Sequence, residues 1–103
     1  MKNIANLQKM LKNAKQMQEK LQKELAEMRV EGSSGGGMVT VVLDGTKSLV
    51  SLRIDPEVVN KEDVEMLQDL IIAAFNDAGT KVDEGLSEKL GSLGAGLKIP
   101  GLF

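Results

Sequence analysis

From Ile4 to Met28 the apolar residues return at heptad spacing. With Ile4 at position a, Ile4, Leu11, Gln18 and Leu25 occupy a, while Leu7, Ala14, Leu21 and Met28 occupy d. Gln18 is the one polar residue of this seam, and Met10 and Met17 widen it at g. The pattern predicts a long amphipathic helix over residues 1–28 with coiled-coil character. At ~1.5 Å per residue such a helix is about 40 Å long, whereas a compact domain of this chain length has a radius of gyration of roughly 13 Å. The helix therefore has to project, pair with another copy, or both.

After Met28 the period falls from seven to two, and residues 29–54 read as a small antiparallel sheet. A short strand, Arg29 to Ser33, comes first. Val39, Val41 and Leu43 then alternate with Met38, Thr40 and Val42, and Asp44-Gly45-Thr46-Lys47 makes a hairpin turn. The third strand places Val50, Leu52 and Ile54 inward and Ser51 and Arg53 outward. So small a sheet needs helices or a partner to cover at least one face. Asp55-Pro56 closes it, because proline fixes its own φ and keeps the preceding residue extended.

A second helix is predicted over 60–90, with Asn60 as N-cap and Glu62 and Asp63 opposing the helix dipole. Its apolar stripe comprises Val64, Leu67, Leu70, Ile71, Ala74, Phe75 and Ala78, and Val82, Leu86 and Leu90 continue it beyond Gly79. Gly79 marks a kink or a break between two pieces. The stripe is wider than one sheet face requires, so its part around Leu70 and Ala74 is expected against a second subunit. Residues 91–103 read as a flexible glycine-rich tail. The fold class is α+β, one domain over residues 1–90 in the order α-β-β-β-α.

Charge changes the picture of the first helix. The 103-residue chain has a net charge of −2, yet Lys2, Lys9, Lys12 and Lys15 fall in the first eighteen residues without one carboxylate. Lys2, Lys9 and Lys23 lie opposite the seam, with Lys12 and Lys15 beside them. The stretch lacks the Glu→Lys pairs that usually solvate a helix, which begin only at Glu19–Lys23. A basic arm on an otherwise acidic chain points to a polyanionic partner.

Other chemistry is sparse. Without cysteine or histidine there are no disulfides, ordinary zinc ligands, or Ser–His and Cys–His nucleophile pairs. No catalytic constellation, metal site or cofactor is predicted, nor a small-molecule substrate. Ser33-Ser34-Gly35-Gly36-Gly37 resembles a phosphate loop only superficially. No Lys-Ser or Lys-Thr follows, and the segment leads into a strand, so its glycines serve φ > 0 or close backbone approach. No apolar run is long enough to span a membrane, and the expected location is the cytoplasm.

Gly35-Gly36-Gly37-Met38-Val39, Ile54-Asp55-Pro56-Glu57 and the run from Asp63 to Ile71 resemble the YbaB/EbfC family of bacterial nucleoid-associated proteins. So do Ala73-Ala74, Asn76-Asp77-Ala78, the first helix and the Leu97-Lys98-Ile99-Pro100-Gly101-Leu102 ending. The resemblance implies a homodimer joined through its sheets and following helices, with paired arms set apart like tweezers. It also implies duplex DNA binding in the nucleoid, with roles in nucleoid organisation and gene expression. Within that frame the DNA-binding set is Lys2, Lys9, Lys12, Lys15, Lys20 and Lys23. The dimer-interface set is Leu67, Leu70, Ile71, Ala74, Ala78, Val39 and Val41. The alternative is a coiled-coil interaction module with no direct contact to DNA.

Overall fold

The computed structural model describes residues 2–94, with side chains described for 3–91. Its order is α1 (Lys2–Glu27), β1 (Val30–Ser34), β2 (Val39–Leu43), β3 (Leu49–Ile54), a 3-10 turn at Pro56–Val58 and α2 (Val64–Gly94). This is the α-β-β-β-α arrangement the periodicities predict. The molecule is elongated, 72 × 22 × 17 Å with a radius of gyration of 19.8 Å, well above the ~13 Å of a compact chain this long.

α1 contains no glycine or proline and only one β-branched residue, Ile4, so little opposes helix formation. The Arg29 guanidinium ends it, donating to the carbonyls of Ala26 at 2.8 Å and Met28 at 2.7 Å. These bonds satisfy acceptors that a helix C-terminus otherwise leaves open.

The sheet runs β1-β2-β3, antiparallel throughout. Gly35, Gly36 and Gly37 in the β1–β2 connection all have positive φ, at 60°, 69° and 94°. The glycine run is thus explained by backbone conformation, as expected. At the β2–β3 hairpin the Asp44 carboxylate accepts from the amides of Thr46 and Ser48 and from the Thr46 hydroxyl. The Thr46 hydroxyl and the Ser48 amide hold the Asp44 carboxyl below its usual 3.8.

α2 lies across β1 and β2. Ala74, Ala78 and Val82 recur every fourth residue on its inner line, and their small size lets the helix approach the sheet closely. With Val39, Val41 and Leu43 of β2 and Val58 they form the core, flanked by Val30, Ile54, Leu67, Leu70, Ile71 and Leu86.

Several expectations need correction. Val39, Val41, Ala74 and Ala78 are closed off inside the chain, at 0 to 1% exposure. They form the α2–sheet core and offer no surface to a second subunit. Phe75 and Val64, read as buried, are instead exposed at 39% and 50%. A register shift between Val42 and Leu43 places Leu49 opposite Leu43. Val50 is therefore the extra residue of a bulge and does not continue the inward set.

The second helix is capped three residues later than predicted and begins at Val64. Asn60 spends its side chain on the Glu62 amide at 2.9 Å, whereas the Asp63 carboxylate accepts from Met66 at 3.1 Å. Asp63 is the N-cap. α2 runs unbroken through Gly79 and on to Gly94. Of the predicted tail, 91–94 therefore continue the helix, and 95–103 lie outside the described residues.

Candidate nucleic-acid interface

Among the described residues, only the last turn of α1 is fastened to the body of the protein. The Gly45 amide donates to the Leu25 carbonyl at 2.8 Å. A β-carbon at Gly45 would stand 2.8 Å from both Leu25 Cδ2 and Met28 Sδ. Glycine thus permits the hairpin turn to fit under the helix end. Lys89 of α2 adds an ion pair to Glu24 at 3.4 Å. From residue 3 to residue 23 every side chain of α1 is exposed.

The helix carries two different faces along that free length. At about 100° per residue, Lys9, Lys12, Lys20 and Lys23 cluster opposite the seam, and Lys15 lies on its flank. On the seam, Ile4, Leu7, Leu11 and Leu21 are 62%, 56%, 62% and 43% exposed, and the flanking Met10 and Met17 are 67% and 73% exposed. The side chain of Lys2 lies outside the described residues.

The arm lysines differ from Lys47, Lys81 and Lys89 of the body. Among the described residues, ion pairs join Lys47 to Asp83 at 2.9 Å, Lys81 to Asp77 at 3.1 Å and Lys89 to Glu24 at 3.4 Å. Lys9, Lys12, Lys15, Lys20 and Lys23 are in none of them. The expected Glu19–Lys23 pair does not form. Lys47, Lys81 and Lys89 brace the fold and Lys61 stands alone among acidic neighbours, whereas the arm holds a cluster of uncompensated positive charge that an anion can neutralise. The exposed start of α2 is acidic, with Glu62, Asp63, Glu65 and Asp69, and repels phosphate.

A separate open surface is apolar. Leu52 pairs with Val41 and so shares the helix-covered face, but α2 stops short of β3, and Leu52 stays 42% exposed. Leu49 beside it is 53% exposed. Asp77 marks the β1 flank of α2, because its carboxylate accepts from the Ser33 amide at 3.0 Å. The opposite flank, toward β3, carries Phe75 and Ile72, 39% and 57% exposed. Sequence reasoning missed this surface, although the adjacent Leu49 and Val50 and the breadth of the α2 stripe both hinted at it. Of the predicted interface residues, Leu67, Leu70 and Ile71 are half-buried along the margins of the core.

Among the described residues no helix is long and apolar enough to cross a membrane, and no group of three potential ligands could hold a metal ion.

Comparison with known proteins agrees with this architecture. The model of the YbaB/EbfC DNA-binding family matches residues 1–97. A nucleoid-associated protein of Caldanaerobacter subterraneus subsp. tengcongensis is 50% identical over 101 residues, covering 95% of this chain and 91% of the relative. One of Dictyoglomus thermophilum is 45% identical over 104 residues, covering 100% of both. The crystal structure of an uncharacterized protein from Helicobacter pylori superimposes with a TM-score of 0.70 at 30% identity. That match covers 84% of this chain and 91% of the other. A DNA-binding family accords with the absence of enzymatic chemistry read from the sequence.

Proposed function

This chain belongs to the YbaB/EbfC DNA-binding family, and from that membership and the geometry of its arm we propose that it is a nucleoid-associated homodimer gripping duplex DNA. The observation that carries the proposal is that Lys9, Lys12, Lys15, Lys20 and Lys23 of α1 are exposed and outside every ion pair among the described residues. Lys9 to Lys23 spans about 21 Å of helix at ~1.5 Å per residue, against one duplex charge per ~1.7 Å of axis. Several phosphates therefore lie within reach of one arm.

Lysine is a flexible point charge without the fork that arginine uses on a base edge. The arm binds backbone, with at most weak sequence preference. The described aromatic residue, Phe75, lies on the body, away from the arm, and offers no stacking platform along it. Duplex is thus the preferred form. By binding many sites weakly the protein contributes to nucleoid organisation and, through occupancy of control regions, to gene expression.

The second copy docks on the open surface formed by Leu49 and Leu52 of β3 and Ile72 and Phe75 of α2. This surface continues the core outward and is apolar on both its helix and its strand side, so two copies related by a twofold axis complement each other. Dimerisation there doubles the number of arms and hence the lysines available to one duplex.

A salt titration of DNA affinity tests the reading. If six phosphates are neutralised, log K falls against log salt with a slope near −5, at roughly −0.9 per phosphate. A slope near zero, or no binding even at low salt, supports the coiled-coil interaction module instead.

A further inference from the structure

The seam of α1 faces away from the lysines, and residues 3–23 of the arm touch nothing in their own chain closely enough to be covered. We infer that it is the contact surface for the α1 arm of another copy, paired antiparallel, so that arms of separate molecules join end over end.

The pairing is set by the residues themselves. Antiparallel helices pack a against d, which sets Ile4 opposite Leu21 of the second copy, Leu7 opposite Gln18, and Leu11 opposite Ala14. At the edges of this register Met10 meets Met17, two pliable thioethers, and Lys15 meets Gln8. No like charges face each other across the seam. Sliding the register seven residues one way shortens the overlap. Sliding it the other way sets Lys15 against Lys15 and calls on Leu25 and Met28, which already pack at the Gly45 turn.

Orientation follows from charge. Residues 2–15 are purely basic, while residues 16–27 carry Glu19, Glu24 and Glu27 beside Lys20 and Lys23, a net charge of −1. Parallel pairing brings two purely basic ends together, whereas antiparallel pairing sets each beside the nearly neutral base of the other helix and opposes the two helix dipoles. Lys9, Lys12, Lys20 and Lys23 of both copies remain in solvent, so the joint leaves the phosphate-binding face free.

The chain has no cysteine, which makes cross-linking unambiguous. Leu11→Cys and Ala14→Cys chains, mixed without DNA and oxidised, are expected to yield mainly the mixed disulfide, identified by intact mass. A Lys12→Cys chain on the opposite face serves as the baseline. Predominance of the Leu11→Cys self-product, or mixed product no greater than that baseline, overturns the antiparallel joint. Sedimentation of the wild type should also give about twice the mass of the Leu7→Asp/Leu11→Asp variant. With dimeric bodies each molecule carries two arms, so joined molecules reach a ratio of two or more; equal masses overturn the inference. Because no DNA is present, failure of the joint is distinct from failure of the DNA-binding proposal.

Discussion

Gly32 lies so close beneath Ala78 that a β-carbon on the glycine would stand 2.2 Å from the Ala78 backbone nitrogen and 2.7 Å from the Ala74 carbonyl oxygen. Both neighbours are helix backbone, which cannot rotate aside as a side chain can. The distance between α2 and β1 is therefore set by the absence of one methyl group. Gly32→Ala should push the helix off the sheet and cost about 1–3 kcal/mol, the range for overpacking a tight core. Urea unfolding monitored by circular dichroism checks this, and an unchanged midpoint contradicts the close approach.

Asp77 ties the same two elements at their edge. Its carboxylate accepts from the Ser33 amide and, less strongly, pairs with Lys81, and these hold its pKa below the usual 3.8. A depressed folded-state pKa contributes stability above the unfolded value, and that contribution is lost as pH falls through the folded one. Acid should therefore weaken the β1–α2 edge below about pH 4. Asp77→Asn should flatten the acid limb of a stability-versus-pH curve, while leaving the limb near neutrality parallel to wild type. Identical acid limbs exclude the role.

The apolar surface on the β3 side predicts where dimerisation fails. Ile72→Asp places a charge on a side chain 57% exposed within the chain, so the fold itself should persist. Measured in the Leu7→Asp/Leu11→Asp background, where the arms do not join, the sedimenting mass should fall to that of a single chain, with the helical spectrum retained. An Asp at the exposed but polar position Glu65 serves as the control. Should Ile72→Asp leave self-association through the body intact, the second copy docks elsewhere.

How much of this was legible in the chain varies with the kind of interaction. The heptads of α1 and the alternation of Val39, Val41 and Leu43 identify helix and strand, because periodicity reports directly which face is apolar. Which element covers that face is a matter of long-range packing. Ala74 and Ala78 read as interface residues, yet small residues on a helix also mark where it presses onto its own sheet, opposite Gly32. Phe75 read as core because it belongs to the apolar stripe of the helix, but it falls on the flank toward β3 and stays exposed. The cap was misplaced because Asn60 and Asp63 are both good N-caps, and only the turn geometry decides that Asn60 bonds Glu62 instead. The arm lysines were legible as a cluster. Their freedom from ion pairs depended on how Asp77, Asp83 and Glu24 engage Lys81, Lys47 and Lys89, which spacing reveals only for Asp77–Lys81.

The central claim is that the uncompensated lysines of α1 hold duplex DNA. The most direct measurement is a duplex gel shift of Lys9→Glu/Lys12→Glu/Lys15→Glu beside the wild type at low salt, with sedimentation and circular dichroism run on the same samples. These side chains are exposed and outside every described ion pair, so the variant should keep its fold and its base dimer. It should lose retardation altogether, since six positive charges per dimer are exchanged for six negative ones. Undiminished binding by a folded, dimeric variant contradicts the account and moves the DNA contact off the arm.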